Sequence, residues 1–177
     1  MGSVWLVGLP AAGKSTVGPL LAERMGYEFV DLDALVEDVA QMAIADIFRE
    51  GGEKGFREAE ALASDSLLAR RRIVVATGGG WMARDDIERG PAGCVRVWLR
   101  VSPVAGMERL GSQRDSRPLL GGEAGGSVLA ELLAGREQAY GEAELVVDTA
   151  GRTPAEVAEL VAAQVSEMAG TGRSARR

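Results

Sequence analysis

The sequence predicts an α/β fold: a five-stranded parallel sheet lying between two layers of helices. Three observations carry that prediction. Five short apolar runs, Val4–Val7, Tyr27–Val30, Ile73–Ala76, Val95–Val101 and Leu145–Val147, alternate with helix-patterned stretches. Most of the runs are near-continuous in Val, Ile and Leu, the pattern of strands buried on both faces. The stretches between them are long enough to be crossovers, which are right-handed in parallel sheets. Ligands of such a sheet collect at the carboxyl ends of its strands.

Composition narrows the class. A chain of 177 residues with 46% apolar content is the size of one domain, placed here at residues 1–170. No apolar run reaches membrane-spanning length. The N-terminus enters a strand directly, with no charged and apolar leader, so the cytoplasm is the expected location. Cys94 is the one cysteine, sits in an apolar run and is expected to be a buried thiol. A net charge of −6 argues against a nucleic-acid partner. With no histidine in the chain, acid–base chemistry falls to carboxylates, lysine or water. The expected partners are small molecules, with no nucleic acid and no membrane, and the expected state is a monomer.

The first run, Val4–Val7, leads into Gly8-Leu9-Pro10-Ala11-Ala12-Gly13-Lys14-Ser15-Thr16, and the helix pattern Ser15–Met25 follows. Glycine, four residues, then Gly-Lys-Ser, set between strand and helix, is a P-loop. Backbone N–H groups from Ala11, Ala12, Gly13, Lys14, Ser15 and Thr16 are placed to curl around phosphate, helped by the helix N-terminus. Lys14 reaches the β- and γ-phosphates, and the Ser15 hydroxyl can ligate Mg²⁺.

The second run ends in Asp31-Leu32-Asp33. A period of two places both carboxylates on one side of the strand, where one can hold Mg²⁺ through water and the other accept a proton. Read alone, Asp33 is equally an N-cap for the helix pattern Ala34–Ala40. Two further helix patterns follow, Ile44–Glu50 and Glu53–Arg70. A helical segment of about 33–61 is too long for one crossover and suits a substrate-holding insertion. Within it Arg57 and Glu60 stand three apart on a helix and can pair. That pair is either a surface ion pair or a guanidinium fork held still for a ligand carboxylate.

The third run ends in Thr77-Gly78-Gly79-Gly80, where the absence of side chains lets a ligand approach the backbone. No strand ending in a Walker-B aspartate follows the P-loop, and no guanine-reading Asn-Lys-x-Asp is present. After the fourth run come a helix pattern, Pro103–Arg109, and a glycine-rich loop of about 111–126 that has the length and composition of a lid. Arg117 within it is placed to swing onto a transferring phosphoryl group. A helix pattern over Val128–Tyr140 carries Arg136. The last run closes in Asp148-Thr149, Arg152 follows, and a final helix pattern spans Pro154–Met168. The tail 171–177 lacks apolar anchors and is expected to be disordered.

Taken together, these motifs resemble the shikimate kinase family. The matching blocks are the P-loop, Asp31-x-Asp33, Ala45-Asp46-Ile47-Phe48, Gly52-Glu53-x-x-Phe56-Arg57-x-x-Glu60, Gly78-Gly79-Gly80, Arg117-Pro118-Leu119-Leu120, Arg136-x-x-x-Tyr140 and Asp148-Thr149, in that order from residue 4 to about 165. The P-loop is generic; the Phe-Arg-x-x-Glu, triple-glycine and Arg-Pro-Leu-Leu blocks together are specific. The resemblance implies a P-loop NTPase fold of the nucleoside-monophosphate-kinase-like kind. It implies transfer of the ATP γ-phosphoryl group to the 3-hydroxyl of shikimate with Mg²⁺. By resemblance, Asp33 binds the reacting diol and is a candidate base. Arg57 and Arg136 grip the substrate carboxylate, and Gly78, Gly79 and Gly80 supply backbone contacts. Ser15 ligates Mg²⁺ with Asp31 in its outer shell, Lys14 and Arg117 stabilise transfer, and Arg152 lies against the adenine. Two other readings stand beside it, a gluconate kinase of the same fold and a non-catalytic nucleotide-binding module. The chain departs from the family pattern at two points. Arg109 stands eight residues before Arg117, where the family has an Arg seven before. Trp81 follows the glycines where small residues are common, and is expected to crowd or reshape the substrate pocket.

Overall fold

Each apolar run forms a strand: β1 Val4–Val7, β2 Glu28–Asp31, β3 Ile73–Ala76, β4 Val95–Arg100 and β5 Leu145–Asp148. This computed structural model describes residues 2–84, 90–110 and 125–174. The sheet order is β2-β3-β1-β4-β5, and every pair is parallel. The chain passes from β1 to the edge strand β2, fills the place between them with β3, and then crosses to β4 and β5 on the other side of β1. The crevice beyond the carboxyl ends of β1 and β3 is therefore the expected ligand site.

Burial follows strand position. β1 and β3 are buried at every residue, as their continuous apolar sequences require. β2 and β5 are partly exposed because they are the sheet edges, so the sequence expectation of two covered faces holds for the interior strands only. Trp5 on β1 is fully buried and stacks on Trp81 with ring centroids 4.8 Å apart. The Trp81 indole N–H donates to Ser64 Oγ at 2.8 Å. Trp81 therefore belongs to the core beneath the glycines, not to the pocket edge. The stacked contact with Trp5 outweighs exposure of a large apolar ring.

Among the described residues seven α-helices complete the layers: α1 Lys14–Met25, α2 Leu32–Ala40, α3 Ile44–Asp65, α4 Pro103–Leu110, α5 Gly125–Ala134, α6 Glu137–Tyr140 and α7 Pro154–Ser174. α1 packs against α7 and against β3. Gly18 lets α1 lie close to β2 as well, because a Cβ there would stand 2.2 Å from the Phe29 ring. α1 ends at Gly26, left-handed at φ 64, with the Tyr27 N–H bonded to the Ala22 carbonyl at 2.8 Å.

α3 is two helical pieces. Gly52 interrupts it with φ 63 and ψ −161, a conformation open to glycine. Phe48 and Phe56 stack across the break at 4.8 Å. The second piece ends at Asp65, earlier than the sequence pattern to Arg70, and turns lead into β3. The pattern over Val128–Tyr140 is likewise two helices, α5 and α6, broken at Gly135 and Arg136; Arg136 caps α6 with φ −125. Helix α7 carries on to Ser174, four residues beyond the predicted end of order, because each added residue gains a hydrogen bond once a packed helix exists. Among the described residues no helix is long and apolar enough to cross a membrane. Cys94 is half-buried rather than buried; burial first, then the nearby Glu144 charge, pushes its thiol pKa up, which suits an unreactive thiol.

Candidate active site

The loop between β1 and α1 has the shape a phosphate cradle requires. Gly8 and Gly13 take φ 136 and 95, and Ala11 also lies in the left-handed region at φ 64. These turns wrap the chain tightly enough for Lys14 to fold back on its own loop. Its Nζ donates to the Gly8 carbonyl at 2.8 Å and to the Leu9 carbonyl at 2.9 Å. Gly13 is the N-cap of α1, and no side chain caps that end. The first-turn N–H groups therefore face the cleft with the helix dipole behind them.

A cleft of about 570 Å³ opens over this loop. Ala11, Ala12, Gly13, Lys14, Ser15 and Thr16 line it, as the P-loop reading expects, together with Asp31, Asp33, Thr77, Gly78 and Gly79. Arg109, Thr149 and Arg152 line it too. Arg109 thus lines the cleft despite its shifted spacing. It is fixed there by donating to Thr149 Oγ1 at 2.9 Å and to the Thr149 carbonyl at 2.6 Å. Arg152 Nη1 donates to the Asp148 carbonyl at 2.7 Å.

The two aspartates do not share a strand face. β2 stops at Asp31, which is itself the N-cap of α2, and Asp33 lies in the first turn of that helix. Asp31 Oδ1 accepts from the Asp33 N–H at 3.0 Å, and Asp31 Oδ2 accepts from Ser15 Oγ at 2.9 Å. The capping role read for Asp33 therefore belongs to Asp31. Capping at Asp31 starts the helix two residues earlier than the apolar pattern suggests, and it still brings both carboxylates to the cleft.

Beyond Gly79 lies a second cluster. A Cβ on Gly79 would stand 3.3 Å from Arg136 Nη1 and 3.0 Å from Pro10 Cδ. A Cβ on Gly80 would stand 3.0 Å from Arg57 Nη2 and 3.5 Å from Arg136 Nη2. The two guanidinium groups thus converge on one glycine from separate helical segments. Arg57 is held by Glu60, whose Oε2 accepts from Arg57 Nη1 at 2.8 Å. Glu60 is fully buried, so this is an interior anchor and not a surface ion pair. Its Oε1 has no hydrogen-bond partner among the described residues, and it lies 2.9 Å from where a Gly78 Cβ would stand. Arg136 approaches Tyr140, whose hydroxyl donates to the Gly79 carbonyl. Burial raises the Tyr140 pKa and Arg136 opposes that rise, so the phenol stays a donor at neutral pH.

Sequence reading missed one member of this cluster, Arg84. Its Nη1 donates to Glu60 Oε2 at 3.0 Å and to the Arg57 carbonyl at 2.9 Å. Nothing in its local sequence marks it, since its partners lie on another element. Arg117 and most of the loop 111–126 fall outside the described residues.

Comparison with known proteins agrees with this geometry. The shikimate kinase family profile matches residues 10–166. A shikimate kinase of Chlorobium chlorochromatii is 44% identical over 157 residues, spanning 82% of this chain and 81% of that protein. The solved structure of a shikimate kinase from Acinetobacter baumannii in complex with shikimate matches 94% of each chain with a TM-score of 0.85 at 31% identity. A gluconokinase from Sinorhizobium meliloti 1021 matches at a TM-score of 0.66 and 24% identity, a likeness of fold alone. With the profile spanning nearly the whole domain, the chain belongs to the shikimate kinase family.

Proposed function

We propose that the protein transfers the γ-phosphoryl group of ATP to the 3-hydroxyl of shikimate, giving shikimate 3-phosphate and ADP. The convergence of Arg57 and Arg136 at Gly80, beside a P-loop cleft, carries this reading. Two guanidinium groups fit a carboxylate, and the acceptors Asp33 and Glu60 Oε1 next to them fit a hydroxylated ring.

The residues divide the work by position. Ala11 to Thr16 surround the phosphates with N–H groups. Lys14 exchanges its loop carbonyls for the β- and γ-oxygens, a trade of neutral for ionic hydrogen bonds. Arg57 and Arg136 hold the carboxylate, and the Gly78–Gly80 backbone carries the ring close to Asp33. The bond from O3 to Pγ forms as the bond from Pγ to the bridging oxygen breaks, and the O3 proton passes to the Asp33 carboxylate. Positioning of this kind supplies much of the rate gain in phosphoryl transfer. Arg117 completes the charge around the transferring group, and Arg109 and Arg152 flank the adenine end.

Ser15 and Asp31 fit Mg²⁺. A hydroxyl and a carboxylate oxygen 2.9 Å apart form a hard oxygen pair, suited to a cation that keeps several waters and takes the rest of its ligands from phosphate. Bound there, Mg²⁺ would draw charge from the β- and γ-phosphates. We read the protein as a cytoplasmic monomer.

A phosphorylation screen over shikimate, gluconate and nucleoside monophosphates tests the reading. ATP turnover that depends on shikimate is expected. Turnover on gluconate instead, or none with any acceptor, would overturn it.

A further inference from the structure

We propose that Arg84 is a positioning residue for the carboxylate-reading arm of the site. By sharing the buried Glu60 carboxylate with Arg57, it keeps the Arg57 guanidinium set at Gly80 and available to a substrate. The inference rests on the carboxylated-substrate reading above.

The argument starts from Glu60. It is fully buried, and a buried carboxylate needs both charge compensation and hydrogen bonds. Two guanidinium groups meet it on one oxygen, Arg57 Nη1 at 2.8 Å and Arg84 Nη1 at 3.0 Å. Arg57 also reaches Glu53 at 3.2 Å, but Glu53 is largely exposed and that pair is screened. Glu60 is therefore the anchor that sets Arg57. Were Arg57 its sole cation, the pair would be close to neutral and Arg57 would offer little attraction to an incoming carboxylate. Arg84 relieves that demand.

Arg84 also fixes position. Its Nη1 donates to the Arg57 main-chain carbonyl at 2.9 Å, so it grips both the backbone of Arg57 and its side-chain anchor. Arg84 itself is nearly buried and follows directly on the 3-10 turn Trp81–Ala83, whose Trp81 and Met82 are fully buried. That turn begins at Gly80. One short, core-anchored segment therefore carries both the glycine at which the arginines converge and the cation that orients one of them.

The test compares wild type with Arg84→Met, using shikimate and its carboxamide as acceptors. Arg84→Met should raise the KM for shikimate about tenfold, the scale of one misplaced charge-assisted hydrogen bond. The KM for ATP and kcat at saturating shikimate should stay near wild type. With the carboxamide the two enzymes should have the same KM, since no substrate charge is left to read. KM does not depend on the fraction of enzyme that folds, so a poorly folding variant still reports. An equal penalty for carboxylate and carboxamide, or an Arg84→Met enzyme with wild-type KM, would overturn the inference. A wild-type enzyme inactive on shikimate would instead overturn the functional reading beneath it.

Discussion

Asp31 accepts a hydrogen bond from Ser15 Oγ at 2.9 Å, which ties the last residue of β2 to the first turn of α1. The other oxygen of the same carboxylate caps α2 through the Asp33 N–H at 3.0 Å. One side chain thus serves a helix terminus and a candidate cation site. The two duties separate on mutation, because asparagine caps as well as aspartate. Asp31→Asn should keep the melting temperature and shift the Mg²⁺ titration of the rate to higher concentration. Asp31→Ala should shift the titration and also lower the melting temperature, with about 1 kcal/mol lost from the cap. An Asp31→Asn enzyme with an unchanged Mg²⁺ titration would leave Asp31 as a cap only.

Asp33, one residue into the first turn of α2, is the acceptor placed for the substrate hydroxyl. Asp33→Asn should lower kcat by about two orders of magnitude, the range of a lost general base. The KM for ATP should barely move, since the P-loop is untouched. Near-normal turnover in steady-state assays would remove Asp33 from the proton transfer.

Gly80 offers a probe that leaves the arginines in place. Its backbone, φ −94 and ψ −7, suits alanine without strain. The added methyl would stand 3.0 Å from Arg57 Nη2 and 3.5 Å from Arg136 Nη2. The guanidinium groups must then give way. Gly80→Ala should raise the shikimate KM about tenfold, in line with weakened charge-assisted bonds, with stability nearly unchanged. Calorimetric titration with shikimate checks this; unaltered affinity would mean that the arginines read the carboxylate from elsewhere.

Arg117 is expected to act late in the reaction, as charge moves toward the leaving group. Arg117→Ala should lower kcat and kcat/KM together. Hydrogen exchange across 111–126 should slow when ADP and shikimate are added together, and less with either alone. Full kcat in Arg117→Ala would leave the charge to Lys14 and the cation.

Acid stability should depend on Glu144. Burial works to raise its pKa, but hydrogen bonds from the Arg96 side chain and backbone outweigh burial and bring it below its ordinary 4.5. The Arg96 N–H donates to Glu144 Oε2 at 2.7 Å, holding the approach to β5 against β4. A carboxyl depressed in the folded state stabilises above its unfolded pKa and loses that contribution as pH falls through the folded value. Denaturant unfolding should therefore show stability falling below about pH 4.5, and Glu144→Gln should be less stable at neutral pH with a flatter acid limb. Parallel acid limbs for the two proteins would assign the effect to other carboxylates.

What the sequence determined by itself was local and periodic. Apolar runs marked all five strands, and those of β1 and β3 are continuous because strands covered on both faces have no polar face to show. The P-loop was readable because glycine spacing and Lys-Ser encode a backbone shape within nine residues. Arg57 and Glu60 were readable as a pair because helical spacing alone brings i and i+3 together. The tertiary structure decided everything that depends on contacts between distant segments. It made the Arg57–Glu60 pair an interior anchor by burying Glu60, and it added Arg84 from the far side of β3. It placed Arg136 at a helix break, where Gly135 ends α5, so that its guanidinium meets Arg57 at Gly80. It turned Trp81 inward because Trp5 and Ser64 offered it a stacked ring and a hydrogen-bond acceptor. It gave the cap of α2 to Asp31, since only the Asp31 carboxylate reaches both the Asp33 N–H and Ser15. Apart from Arg57–Glu60 and Asp31–Asp33, none of these partners lies within a turn of helix or a step of strand from its mate. Sequence periodicity reports which face a residue occupies, and only the packing of the elements settles what stands opposite that face.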